Sequence, residues 1–405
     1  MAFRSWVPGG AVACVLAGVA GMSSMACSDA KEEVGGAGAL DAGRPEDAAL
    51  DASLDAGANS GADAASVDAG TAGGDILLDI VHASPDTPRV GLCLAAVVGG
   101  SAQFVAPFDT VQGPLPRYAG AQLRIPAALQ TAISNVAVRV YLVPGYAAPE
   151  DAGATSCASV IATPGAAVLL KEFPAGYFQA GRGYLIAATG CSAANATVAK
   201  CGADPVVSTN ARPLQAYVAT VDRSPLEASA FGMQFVHLSP QAEALGPLAN
   251  GVRFAQGDPA GTDDAGAATY RWTSWASGSG AIKAFRAPTA LVVAPSVGDP
   301  NALALGIYLA SNAGATPTGN PLLSVGFGLV AAATLGPTNP AVPSYFKKGV
   351  SYTYIALGDP LQSSNPQAPN AGPDFLRVLA FPNNTPPTPA PAAAPDASVA
   401  DASAN

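Results

Sequence analysis

The phrases "VHASP" (Val81–Pro85) and "VHLSP" (Val236–Pro240) are nearly the same five residues written twice, and between them they hold both histidines of this 405-residue chain. The likeness extends further on, where "YFQAGRGYLIAATG" (Tyr177–Gly190) is answered by "YFKKGVSYTYIALG" (Tyr345–Gly358). An internal repeat of this length limits the chain to architectures that build one unit twice. His82 to Tyr177 spans 95 residues and His237 to Tyr345 spans 108, so the second copy carries a modest insertion. Each copy closes with a further apolar strand, "LQAYVATVD" (Leu214–Asp222) and "DFLRVLAFP" (Asp374–Pro382). Two domains follow, at about 75–225 and 230–382, with a Pro/Ala-rich disordered tail at 383–405.

The period of the repeated segments is that of strands. In "ILLDIVH" Leu78, Ile80 and His82 share one face while Asp79 and Val81 point the other way; in "MQFVH" Met233, Phe235 and His237 lie opposite Gln234. Each histidine therefore sits on the apolar side of its strand. The Ser-Pro that follows ends the strand, because proline lacks the ladder donor and fixes its own φ. Charged residues are only 12% of the chain, while Gly (44) and Pro (36) are frequent, which fits an all-β fold.

The strand and turn order of residues 76–223, through "VHASPDTPRVGLCL", "YAGAQLRIPAAL", "VAVRVYLVPG", "AVLLKEFPAGYFQAGRGYLIAATG" and "PLQAYVATVD", resembles the bacterial DUF4397 domains of exported proteins. The second unit matches less completely: "VHLSPQAEAL" lacks the Asp-x-Pro of the first copy, and its middle is expanded. The resemblance implies small antiparallel β-sandwiches, often in tandem and often lipid-anchored, with no assigned catalytic residues, and it carries over no site. The expected fold is all-β: two tandem antiparallel immunoglobulin-like β-sandwich domains after a disordered tether.

Ahead of the repeats, Arg4 and the uncharged run Val7–Met22 read as an export signal that ends at "SSMAC". Cleavage before Cys27 suits both ordinary secretion and a bacterial lipobox that would attach lipid to Cys27, though Ser24 stands where a lipobox prefers Leu. Residues 28–74 are Ala/Asp/Gly-rich with no apolar period, as a tether from an anchor would be. The expected location is the cell envelope, anchored at the outer membrane by lipid, with simple secretion as the alternative.

The net charge of −10 is concentrated in that tether. Residues 28–75 hold eleven acidic groups against Lys31 and Arg44, whereas 76–381 balance sixteen basic with sixteen acidic side chains. A neutral folded part without a basic stripe excludes nucleic acid as the expected partner.

Outside the export signal the cysteines are Cys93, Cys157, Cys191 and Cys201, and four exported cysteines suggest two disulfides. Of three pairings, Cys191 with Cys201 closes the short loop "CSAANATVAKC", which leaves Cys93 with Cys157. No cysteine pair is as close as C-x-x-C, and the nearest histidine lies eleven residues from Cys93, so neither a metal site nor a cofactor is expected.

Around the histidines, the residues His82, Ser84, Pro85 and His237, Ser239, Pro240 read chiefly as strand-ending joints, with ligand contact or catalysis as competing readings. The chain contains no G-x-S-x-G elbow, S-x-x-K pair or H-E-x-x-H helix. Two other stretches could bind. Tyr270, Trp272 and the nearby Trp275 could stack on sugar rings or simply pack a sheet face. Asp258, Asp263 and Asp264 lie in a Gly-rich loop that suits either calcium or solvent. The expected function is a non-catalytic surface module with a protein or glycan ligand; a passive envelope component and an enzyme with an unfamiliar site are the alternatives.

Overall fold

The computed structural model describes residues 74–384 except 105–107, 126–129, 131–132, 147–154, 193–195, 203, 205–208, 240–251, 263–267, 275–288, 290, 295–296, 310–320 and 363–373. The first repeat runs β1 (Ile76–His82), β2 (Arg89–Val98), β3 (Ser101–Gln103), β4 (Gln112–Pro116), β5 (Gly120–Ile125), β6 (Ala137–Pro144), β7 (Val168–Phe173), β8 (Gly183–Thr189) and β9 (Gln215–Val221). The second runs β10 (Phe231–His237), β11 (Val252–Thr262), β12 (Ala268–Ser274), β13 (Val292–Ala294), β14 (Ala304–Leu309), β15 (Leu323–Gly326), β16 (Ser351–Leu357) and β17 (Arg377–Pro382). Short helices Cys157–Ala162 and Val198–Cys201 belong to the first repeat and a longer one, Phe327–Leu335, to the second.

Each repeat is a sandwich of two sheets, and the strand orders match. One sheet of the first repeat runs β5-β1-β8-β9 and the other β3-β2-β6-β7 with β4 also on β2; the second repeat has β13-β10-β16-β17 and β12-β11-β14-β15. The all-β tandem sandwich expected from the sequence is what forms. The pairing is not antiparallel throughout, however: β1 lies parallel to β8, and β10 parallel to β16. The opening strand of each repeat is thus wedged beside a late strand of the same unit, a non-local contact that strand alternation cannot announce.

The sheets that contain β1 and β10 are buried on both faces. One face of β1 and β8 joins β2 and β6 around Leu78, Ile80, Leu92, Val140 and Ile186, and one face of β10 and β16 joins β11 and β14 around Phe235, Phe254, Ile307 and Tyr354. Their opposite faces meet each other through Val81, Leu185 and Tyr217 against Val236, Ile355 and Phe381. The result is four layers, with the described residues of both repeats inside one compact unit. Double-sided burial explains why "ILLDIV" and "YLIAA" are near-continuous apolar runs rather than clean alternations. Gly120 on β5 permits a close approach: a Cβ there would fall 2.8 Å from the Phe381 ring of the other repeat.

Four cysteines are joined in two disulfides, Cys93–Cys157 and Cys191–Cys201. The first clips the helix Cys157–Ala162 onto the outer sheet of the first repeat, over Val111, Val143 and Tyr146. The helix Phe327–Leu335 has a different task. It puts Phe327, Val330 and Ala331 into the core of the second sandwich, and its Thr334 hydroxyl accepts the Ala380 N–H of β17 at 2.9 Å.

Candidate functional site

The histidines occupy equivalent places. His82 ends β1 and His237 ends β10, and both are fully buried, as are Ser84 and Ser239. The Ser84 N–H donates to His82 Nδ1 at 3.4 Å, and the Ser239 N–H to His237 Nδ1 at 3.3 Å. His82 Nε2 lies 2.7 Å from the Thr87 carbonyl, which can only accept, so the proton of the neutral ring is on Nε2. Burial pushes the His82 imidazole down to about 4 and that of His237 to about 3. Both rings are neutral at ordinary pH because a charged imidazolium in these cores would lose its hydration.

The serines fasten the joints. Ser84 Oγ donates to Asp86 Oδ1 at 2.8 Å, and Asp86 Oδ2 accepts the Ser192 N–H at 2.7 Å, which ties the β1 turn to the residue after Cys191. In the second repeat Ser239 Oγ donates to the Gly358 carbonyl. Gly190 and Gly358 are themselves equivalent, with φ of 83° and 95°. A Cβ at either would strike a backbone oxygen, that of Pro213 or Phe375, so the tight crossing needs glycine twice over. With His82, Ser84, His237 and Ser239 closed off from solvent, no substrate reaches a Ser-His pair in this arrangement. Pro85 is buried at its turn, while Pro240 lies outside the described residues.

An open polar concavity does occur at the end of the first repeat. It encloses about 470 Å³ and is lined by Ser192, Ala196, Thr209, Asn210, Arg212 and Pro213 beside the Cys191–Cys201 disulfide. Backbone bonds fix its walls: Cys191 N–H to Arg212 O, Arg212 N–H to Gly202 O and Asp204 N–H to Asn210 O. Arg212 is nearly buried, whereas Ser192, Thr209 and Asn210 are exposed. This is the size of a small-ligand cleft, with the hydroxyl and amide side chains of Ser192, Thr209 and Asn210 exposed along it.

The other candidates come out differently. Tyr270 on β12 is half-buried, and its hydroxyl lies 3.4 Å from where a Cβ of Gly326 would stand, so it leans over the sheet toward β15. Trp272 pairs with Gly257 across the β11–β12 ladder; its side chain and Trp275 lie outside the described residues, as do Cys27, the tether to residue 73 and the tail from residue 385. Asn383, expected at the start of the disordered tail, is instead buried, and its Oδ1 accepts the Thr353 hydroxyl at 2.8 Å. Asp258 accepts from Gln256 Nε2 at 2.6 Å, while Asp263 and Asp264 are outside. Among the described residues no cluster of His, Cys, Asp or Glu is arranged to hold a metal ion.

Sequence reading missed a set of polar residues between the repeats. Asp79 on β1 and Gln234 on β10 are equivalent, and both are buried. Gln122 Nε2 donates to Asp79 Oδ1 at 2.8 Å and to the Pro382 carbonyl of the other repeat at 2.9 Å. Gln234 Oε1 accepts the Asp222 N–H at 3.1 Å, and Arg223 Nε donates to the Asn383 carbonyl at 2.7 Å. Arg117 holds Asp374 with 2.6 Å contacts to both carboxylate oxygens. The one signal in the sequence was a polar residue at the same place in two otherwise apolar opening strands.

No protein-family model matches this sequence, and no curated protein matches it. Solved structures give slight likenesses. A candidate cell adhesion protein from Bacteroides uniformis ATCC 8492 aligns over 76% of this chain and 97% of its own at 8% identity and a TM-score of 0.20. Candidate polysaccharide-binding proteins (DUF1812) from Bacteroides thetaiotaomicron VPI-5482 align over 71% and 92% at 8% identity and 0.21. A candidate adhesin from Bacteroides ovatus aligns over 78% and 97% at 8% identity and 0.20. Among the described residues no helix is long and apolar enough to cross a membrane.

Proposed function

We propose that this chain is a non-catalytic cell-envelope protein, anchored by lipid at Cys27, whose two DUF4397-like sandwiches present a binding site for a glycan or protein ligand. The observation that carries this reading is the contrast between buried and open polar groups. Histidine and serine, the residues best suited to catalysis, are sealed inside the joints, whereas Ser192, Thr209 and Asn210 beside the 470 Å³ concavity face solvent. Ser192, Thr209 and Asn210 offer directional hydrogen bonds of the kind sugar hydroxyls or a peptide backbone make. The formed disulfides support an exported location.

The test is binding of the purified chain to an array of envelope and host glycans and to immobilised peptides, repeated with Asn210→Ala and Thr209→Ala. Saturable binding that falls at least tenfold in either variant, at unchanged thermal stability, is the expected result. Binding that neither variant alters would remove the concavity from the proposal. Lipid labelling in cells should disappear in Cys27→Ala; labelling that persists would remove the anchor.

A further inference from the structure

Among the described residues Asp79 is the one fully buried carboxyl, set into the face where the repeats meet, and nothing in the binding function proposed above uses it. It is fully buried, and its neighbour Val81 on the same strand face packs directly into the contact between repeats. Its Oδ1 accepts Gln122 Nε2, the same nitrogen that reaches the Pro382 carbonyl across the contact, and its Oδ2 has no hydrogen-bond partner. A carboxylate accepts up to four bonds, so one bond and no ion pair at contact distance leave the ionised form poorly served.

The charged groups that act on Asp79 are Arg223, beyond β9, and Arg124 on β5, both from its own repeat. Arg223 is already committed: it donates to the carbonyls of Asn383, Asp75 and Gly181, and Asp75 also acts on its charge. Arg124 is exposed to solvent. The second repeat contributes the Tyr345 phenol, which burial keeps protonated and whose hydroxyl donates to the Ala380 carbonyl, together with the uncharged Gln234.

We propose that Asp79 is a proton-controlled latch between the two repeats: uncharged, it lets the two sheets lie face to face, and ionised, it favours their separation. Desolvation lifts its carboxyl to about 7, against about 3.9 for a hydrated aspartate. Opening therefore becomes easier as pH rises through the interval between those values, and levels off above about pH 7. The histidines do not share in this, because they face the separate sandwich cores on the opposite side of their strands.

The experiment places a thiol at the contact, Ala219→Cys, in the otherwise native chain and in Asp79→Asn. The rate of thiol labelling of the two proteins is compared at each pH, so that the chemistry of the thiol cancels. The ratio of native to Asp79→Asn labelling should rise about thirty-fold between pH 5.5 and pH 8, with most of the rise below pH 7. A ratio independent of pH would overturn the latch. Should Asp79→Asn fail to fold, isotope-edited infrared spectroscopy of the native chain decides: a protonated aspartic acid band at pH 6 is required, and its absence overturns the proposal. Neither readout involves a ligand, so the latch and the binding site fail independently.

Discussion

The two repeats share one strand order and one histidine joint but are held together by different means. The first is stapled twice, by Cys93–Cys157 and Cys191–Cys201, and the second contains no cysteine. Register shows the exchange: Cys93 pairs with Tyr141 across β2–β6, and Arg253 pairs with Tyr308 at the matching place in β11–β14. Cys191 is likewise replaced by Asp359, which makes the same isolated bridge and accepts the Leu361 N–H at 2.9 Å. The second repeat compensates inside. Phe231, Phe235, Phe254, Phe327, Phe346, Tyr352 and Tyr354 form one aromatic core, with Phe235 stacked on Phe254 at 4.5 Å, where the first repeat gathers Phe173, Tyr177, Phe178 and Tyr184. The fold thus rests on what the copies share, the strand pattern and the buried joint; covalent and aromatic reinforcement are interchangeable additions.

The shared joint yields the largest expected effect, and it appears in acid. Each histidine has a folded pKa below its ordinary value, so the unfolded chain binds the extra proton more readily and stability rises with pH across the window. The contribution is complete above about pH 6.5 and is lost as pH falls toward about 4 for His82 and about 3 for His237. At 1.36 kcal/mol per unit, the losses are about 3 kcal/mol for His82 and about 5 kcal/mol for His237. Asp79 runs the other way: its raised pKa makes stability fall with rising pH between about 4 and about 7, so it offsets roughly half of the slope of the histidine pair. Urea unfolding at pH 7, 5.5 and 4.5 checks the balance. Over this range His82→Gln and His237→Gln should flatten the acid loss alike, since both folded values lie below pH 4.5, and Asp79→Asn should steepen it; the two histidines part only below about pH 4. Equal acid slopes in all four proteins would mean that the joints are not desolvated as described.

The strands and their faces were legible because apolar residues recur with period two in "MQFVH" and because proline cannot continue a ladder. The parallel β1–β8 pairing was not, since it joins residues about a hundred positions apart and no local pattern encodes a partner. Nor was the burial of both faces of β1. Asp79 looked like the polar side of a half-buried strand, and only the second sheet laid over it shows that the polar side is also an interior. The concavity at the first repeat's end was invisible for a related reason. Ser192 and Asn210 are ordinary loop residues until the disulfide and the bonds of Arg212 bring their loops side by side.

The difference between the copies can be broken from either side. Opening a loop of 64 residues by Cys93→Ser should cost about 4 kcal/mol, and Cys191→Ser, which opens one of 10, about 3 kcal/mol, because closure entropy grows only with the logarithm of loop length. In the second repeat Phe327→Ala, which empties a fully buried ring site, should cost about 3 to 5 kcal/mol. Apart from Trp6 in the export signal, the tryptophans are Trp272 and Trp275 of the second repeat, so in the chain without that signal tryptophan fluorescence reports that half, while circular dichroism reports both. In the cysteine variants circular dichroism should begin to melt before fluorescence does; in Phe327→Ala fluorescence should lead. Coincident transitions in all the variants would show one cooperative unit in which the origin of stability no longer matters.

The smallest effect concerns how firmly the halves report to each other. Arg117 and Asp374 join the repeats at the rim of their contact, with side chains 25% and 19% exposed, and Arg377 beside them stacks on Phe375 at 4.5 Å. A two-pronged guanidinium–carboxylate pair that is largely shielded is stronger than an open surface pair, yet removing either partner leaves the other able to reach water. Arg117→Ala and Asp374→Ala should each therefore cost about 1 kcal/mol, and the double variant should cost less than the sum because the second change removes a charge already unpaired. The same substitutions should widen the gap between the fluorescence and circular dichroism transitions in Cys93→Ser, since a weaker contact lets the unstapled half melt alone. A gap that stays constant would place the coupling in the apolar contact of Val81, Val236 and Phe381 rather than in the rim.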